Sequence, residues 1–169
     1  MLQVARIWLV VIALGLVACV KTGSVAEKQP LAKIPAGKTM NVVVKNPEPD
    51  WQRDADALRE GLLQRISDEK WWKAAPQPDV LVEITLTDFD KGNKAARMFA
   101  GTGEAELKAD VVFKTSDGTV LGALAVTGNS RRKSTVSVGG FDTSWADSLP
   151  GRAVNATIDE LVEYLASRR

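Results

Sequence analysis

Histidine is missing from all 169 residues, and cysteine occurs once. The first absence removes the commonest general base, the Ser-His-Asp and Cys-His nucleophile systems, and any zinc or haem site that needs imidazole. The second forbids an intrachain disulfide. Aromatic residues are scarce, at 6%, and neither sign of charge dominates, with 22 Lys and Arg against 21 Asp and Glu. A formal charge of +1 lacks the concentrated positive excess that phosphate neutralisation demands, so nucleic acid is not expected as a partner. What remains is a chain sized for one globular domain, with 45% apolar residues to build its core.

The apolar residues gather first at the N-terminus. Met1 to Arg6 carries one positive charge, Ile7 to Val17 carries none, and Lys21 closes the stretch. A charged start followed by a short apolar run is the pattern of a signal peptide. A permanent span needs about 20 apolar residues to cross a hydrocarbon core of about 30 Å, so this run is expected to be cleaved. It ends in Leu16, Val17, Ala18 and Cys19, which resembles the bacterial lipobox of an aliphatic residue, two small residues and the lipidated Cys. Small side chains let the peptidase reach the backbone, and the thiol carries diacylglycerol through a thioether. The resemblance implies removal of residues 1–18 and lipid attachment at Cys19. The alternative is a buried Cys in an apolar helix. Two acyl chains, palmitate for example, already make a stable anchor, and a mature bacterial lipoprotein carries three. Bacterial sorting, by the same resemblance, retains at the inner membrane those lipoproteins with Asp just after the Cys. Val20 and Lys21 follow here, which implies the outer membrane, with the domain facing the periplasm. Cleavage removes Arg6 and no acid, so the mature chain is formally neutral.

Residues 19–38 are rich in Lys, Ala, Gly, Ser and Thr, with Leu31 and Ile34 as isolated apolar residues, and read as a lipidated N-terminus and flexible tether. At about 5 to 6 Å times the square root of length, such a tether holds a domain about 25 Å from the lipid. The competing reading is an extended arm packed on the domain through Leu31 and Ile34.

Residues 39–169 form the expected domain. Thr39 to Lys45 is β-branched and bounded by Gly37 and Pro47, and reads as a buried strand. Asp50 is placed to cap a helix in which Trp51, Ala55, Leu58, Leu62 and Ile66 recur at helical spacing. Asp79 to Phe89 alternates, as does Ala105 to Phe113, whose polar partners Glu106, Lys108, Asp110 and Lys114 should meet water. Asp117 and Gly118 signal a hairpin into Val120 to Thr127. A final helix carries Val154, Ile158, Leu161 and Leu165, with Pro150 near its first turn. The expected fold class is α+β, in two layers: a mixed or antiparallel sheet of about four strands, ordered β-α-β-β-β-α, with two helices packed on one face.

The segment from Asp88 through Gly92 and Arg97 to Gly101 and Gly103, the alternating strand after it and the Asp117-Gly118 hairpin accompany the lipobox. Together they resemble the bacterial lipoprotein family catalogued as domain of unknown function 4410. The resemblance implies a fold class and an envelope location, and it supplies no catalytic residue.

Four constellations could carry chemistry. Asp88 and Asp90, two apart in an extended segment, share a face as a carboxylate pair or hard-cation site requires, or else mark a solvated strand end. Gly101 and Gly103 near Lys94 and Arg97 suggest a phosphate cradle, but an amphipathic strand follows them where a helix N-terminus is needed. A bulge or close backbone crossing accounts for them. Trp71, Trp72 and Trp145 form either an exposed aromatic face or core packing. Residues 128–147 lack a period, and Arg131, Arg132, Lys133, Phe141 and Trp145 offer charges and aromatics of the kind that make binding hot spots. That loop is the candidate partner-binding site. No catalytic, cofactor or metal residue is assigned.

The expected function is therefore non-enzymatic: a lipid-anchored envelope lipoprotein binding another envelope component, protein or glycan. The alternative is a regulator or assembly factor for a periplasmic enzyme or secretion machine, by fold analogy alone. A remote alternative is a hydrolase using Asp88 and Asp90.

Overall fold

In the computed structural model, which describes residues 23–35, 37–70, 72–92, 103–130 and 148–168, six strands make one mixed sheet. They are β1 (Gly23–Gln29), β2 (Thr39–Lys45), β3 (Lys73–Ala74), β4 (Val80–Asp90), β5 (Glu106–Thr115) and β6 (Val120–Asn129). Across the sheet the order is β1-β6-β5-β4-β2-β3. β2 runs parallel to β3 and β4, and the remaining pairs are antiparallel. Helices α1 (Gln52–Asp68) and α2 (Leu149–Ala166) cover one face.

The covered face follows from period two in the strands and period 3.6 in the helices. β2 contributes Met40 and Val42, β4 contributes Val80, Val82, Ile84 and Leu86, and β5 contributes Leu107, Ala109, Val111 and Phe113, all buried. Ala55, Leu58, Leu62 and Ile66 of α1 and Val154, Ile158, Leu161 and Leu165 of α2 close the same core. In β4 the register shifts between Leu86 and Asp88. That bulge reverses the alternation and turns Phe89 inward against the edge of Trp51, with centroids 6.1 Å apart.

The strand count departs from the expected four. β1 and β3 are the additions, one at each edge of the sheet. β1 has one partly buried apolar residue, Val25, and β3 is two residues long, so neither carries the periodic apolar signature of a half-buried strand. Both suit an edge, where short and polar strands discourage further pairing.

The flexible tether expected over 19–38 is also corrected, because residues 23–35 belong to the sheet and the core. Gly23 pairs with Gly128, and Ser24 to Glu27 continue the ladder along β6. Past β1 the chain crosses the end of the sheet, where Ala32 N–H donates to the Leu121 carbonyl at 3.0 Å. Leu31 and Ile34 are buried, and Trp72 Nε1 donates to the Pro35 carbonyl at 3.3 Å. Leu31 lies directly over Gly122, where a Cβ would stand 2.5 Å from its Cα. The packed-arm alternative describes this segment, and among the described residues the domain reaches back to Gly23, ahead of Thr39.

At the start of α1 the expected Asp50 cap is absent. A 3-10 turn, Pro49–Trp51, leads in without a side-chain cap. α2 starts on Ser148, whose Oγ accepts the Gly151 N–H at 3.2 Å. No helix among the described residues is long and apolar enough to cross a membrane.

Candidate functional site

Each strand that buries one set of side chains projects the alternate set from the face without helices. β5 presents Glu106, Lys108, Asp110, Val112 and Lys114 there, β4 presents Leu81, Glu83 and Thr85, and β2 presents Asn41, Val43 and Lys45. The charges alternate in sign between neighbours and pair across the strands. Lys108 bridges Asp88 and Glu106, both at 3.1 Å. Lys28 reaches from β1 to Asp110 at 2.6 Å. Glu83 receives Lys114 at 2.7 Å and Lys45 at 3.2 Å.

Where β2, β4 and β5 meet the turns at their ends, this open face sinks into a cleft of about 860 Å³. Asn41, Val43, Leu81, Glu83 and Lys114 form its floor, the 76–79 segment one wall, and the Thr115–Gly118 turn another. Both walls are tightly built. Asp79 accepts the Thr39 N–H and hydroxyl, each at 2.9 Å, and returns its own N–H to that hydroxyl at 2.9 Å. The Thr39 N–H and hydroxyl, with Lys38 behind them, hold the Asp79 carboxyl below the usual range. In the hairpin, Asp117 accepts the Thr115 hydroxyl and the Thr119 N–H, which lower it likewise. Gly118 takes φ +90°, open to glycine at little cost.

Within the cleft the one acid on the floor is already committed. The Lys114 ammonium, followed by Lys45, holds Glu83 below the ordinary carboxylate range, so Glu83 is an ionised anchor and not a proton donor near neutral pH. The cleft is a recessed surface of mixed apolar and polar groups between hydrogen-bonded walls.

The carboxylate pair of the remote hydrolase alternative, Asp88 and Asp90, does not line this cleft. Asp88 is bound to Lys108, whose own ammonium is raised above its ordinary range by Asp88 first and Glu106 second. Asp90 accepts the Gly92 N–H at 2.8 Å, closing a turn. Gly92, at φ +74°, approaches the 103–105 backbone so closely that a Cβ would meet the Gly103 carbonyl oxygen at 2.8 Å. This crossing is centred on Gly92 with Gly103 as its neighbour, and Gly101, the other glycine of the expected pair, lies outside the described residues with Lys94 and Arg97. Trp72 is core; Trp71 and Trp145 lie outside. So do Cys19 and residues 131–147 of the candidate loop, with Arg131, Arg132, Lys133, Phe141 and Trp145, whereas its expected first residues, Gly128 and Asn129, are paired in β6. Among the described residues no cluster of three or more acidic or thiol side chains is placed to hold a metal.

Sequence patterning missed the cleft because its lining comes from three strands and two turns distant in the chain. The alternate residues of β4 and β5 were recognisable as solvent-facing, but their junction with Pro76, Gln77 and Pro78 depends on the parallel β2-β4 pairing.

Residues 37–133, more than half of the chain, match the family described as Domain of unknown function (DUF4410). The chain belongs to that family. No functionally curated protein matches it. Among solved structures, a PelC dodecamer from Paraburkholderia phytofirmans shares the fold with a TM-score of 0.54 at 16% identity, covering 87% of this chain and 99% of that one. A minor lipoprotein from Acinetobacter baumannii aligns with a TM-score of 0.44 at 12% identity, over 78% of this chain and 94% of that one.

Proposed function

We propose that the protein is a lipid-anchored lipoprotein of the cell envelope, held at the outer membrane through Cys19, whose domain binds another envelope component without catalysing a reaction. The lipobox Leu16-Val17-Ala18-Cys19 supports the anchor. The observation that carries the binding role is the cleft on the helix-free face, rigid at its walls and with its only floor carboxylate bound by two lysines. A photo-reactive side chain placed at Val43 or Gln77 should yield a discrete adduct in native envelopes, identified by mass spectrometry. The same group at Glu60, exposed on the helix layer, should yield none. Adducts from Glu60 alone would move the interface to the other layer and end this assignment. The loop carrying Arg131, Arg132, Lys133, Phe141 and Trp145 is a second proposed contact, and changing its three cations to Ala should reduce capture at low salt.

Self-association is a second reading, favoured by the dodecameric assembly of the PelC protein that shares this fold. It fits the assembly-factor alternative. Light scattering on the Cys19→Ser protein reads it directly, and a constant monomer mass over a hundredfold concentration range would dismiss it.

A further inference from the structure

The start of β1 fixes how far the domain can stand from its anchor. Among the described residues the sheet begins at Gly23, four residues after Cys19. Four residues, however they fold, span at most about 14 Å. A domain joined through a 19-residue linker could tumble freely, whereas one joined this closely keeps the Gly23 end near the lipid.

Strand register says what else lies at that end. Gly23 pairs with Gly128 of β6, which pairs with Leu107 at the start of β5. Phe89 and Asp90 at the finish of β4 face Leu107 and Glu106, and Lys91 just beyond reaches Asp50 and Asp54 at the start of α1. α2 also begins there, since Ala153 and Thr157 pack against Gly128. The cleft is at the opposite end. Its turn begins at Thr115, the last residue of β5, eight residues from Leu107 and so about 27 Å along the strand at about 3.4 Å per residue.

Neither broad face competes for the bilayer. The large apolar side chains left exposed among the described residues are Val43 and Val120, too few for insertion. The open face sets Lys28, Lys45, Lys108 and Lys114 against ion-paired acids, with no positive excess to seek anionic lipid.

Resting on the lipidation of Cys19, we infer that the domain stands end-on at the membrane: the Gly23, Gly128 and Asp90 end faces the lipid, and the cleft is presented about 27 Å farther out, open to a partner that is not membrane-embedded. The thioether at Cys19 consumes the only thiol, so an introduced Cys is unique in the lipidated protein. Full-length lipidated protein in phosphatidylethanolamine and phosphatidylglycerol vesicles, labelled at Asp90→Cys or at Ser116→Cys, is read by energy transfer to an acceptor lipid. Transfer should be several-fold more efficient from position 90 than from 116, and twelve Gly and Ser residues inserted before Gly23 should erase the contrast. Equal transfer from both positions with the native spacing would overturn the orientation. Protein purified from membranes without a lipid mass on Cys19, or a Cys19→Ser form that still floats with the vesicles, would overturn the anchor itself.

Discussion

β5 belongs to both faces of the sheet and obeys a different rule on each. Toward the helices it sends Leu107, Ala109, Val111 and Phe113, all within 1% of full burial. Away from them it sends Glu106, Lys108, Asp110 and Lys114, each in an ion pair that remains partly exposed. The covered face holds the fold through apolar area and shape, where a lost methylene is felt. The open face holds little energy per residue, because exposed pairs contribute about 1 kcal/mol or less. Its side chains can change without unfolding the domain, and a recognition surface needs that latitude.

Phe113→Ala breaks the comparison hardest. Phe113 is fully buried, so the change should cost about 3 to 5 kcal/mol in denaturant unfolding, a large share of the stability of a domain this size. Lys108→Ala, on the same strand facing outward, should stay within about 0.5 kcal/mol of wild type. Equal losses would mean that the facing of β5 is wrong.

Leu31→Ala asks whether the N-terminal arm belongs to the covered face. With Leu31 buried over Gly122, a loss of about 2 to 4 kcal/mol is expected, against almost none for exposed Lys33→Ala. Two equally silent changes would return the arm to the status of a tether. Within β1, Glu27 accepts the Tyr164 hydroxyl at 3.0 Å and Arg168 joins the same carboxylate, so side chains on and just beyond α2 hold the arm as well.

The contrast between faces also explains what the sequence made legible. Alternation over 105–113, helical stripes in α1 and α2, and the Asp117-Gly118 hairpin all report burial by local period, and each forms as expected. β1 reports nothing by period, since it is an edge strand with a single apolar contact. The neighbours of β6 left their signal in Gly122 and Gly128: isolated glycines inside a strand mark a close approach by another segment. One receives Leu31 and the other α2. The bulge after Leu86, which turns Phe89 inward, leaves no trace in composition. The cleft was illegible for a related reason, because parallel pairing of β2 with β4 joins residues about forty apart.

The smallest effect expected is on the open face, and pH reveals it. Lys114 first and Lys45 after it lower the Glu83 carboxyl from its ordinary 4.5, so the folded state releases this proton more readily than the unfolded chain does. The resulting stability is present in full above about pH 4.5 and is lost as pH falls through the lower folded value. Glu83→Gln keeps the shape and removes the charge. At pH 7 the variant should be less stable by about 1 kcal/mol or less, since exposed solvent screens the pair. Below pH 4.5 the two proteins should converge, as Glu83 takes up its proton in the wild type. Asp79 and Asp117, also held low, remain in both and leave a shared loss of stability in acid. A gap that persists unchanged to pH 3 would mean that shape at this position, and not its charge, holds the cleft floor. Because the variant also leaves Lys45 and Lys114 without their shared counter-charge, adduct formation from Val43 measured alongside stability separates a change in recognition from a change in folding.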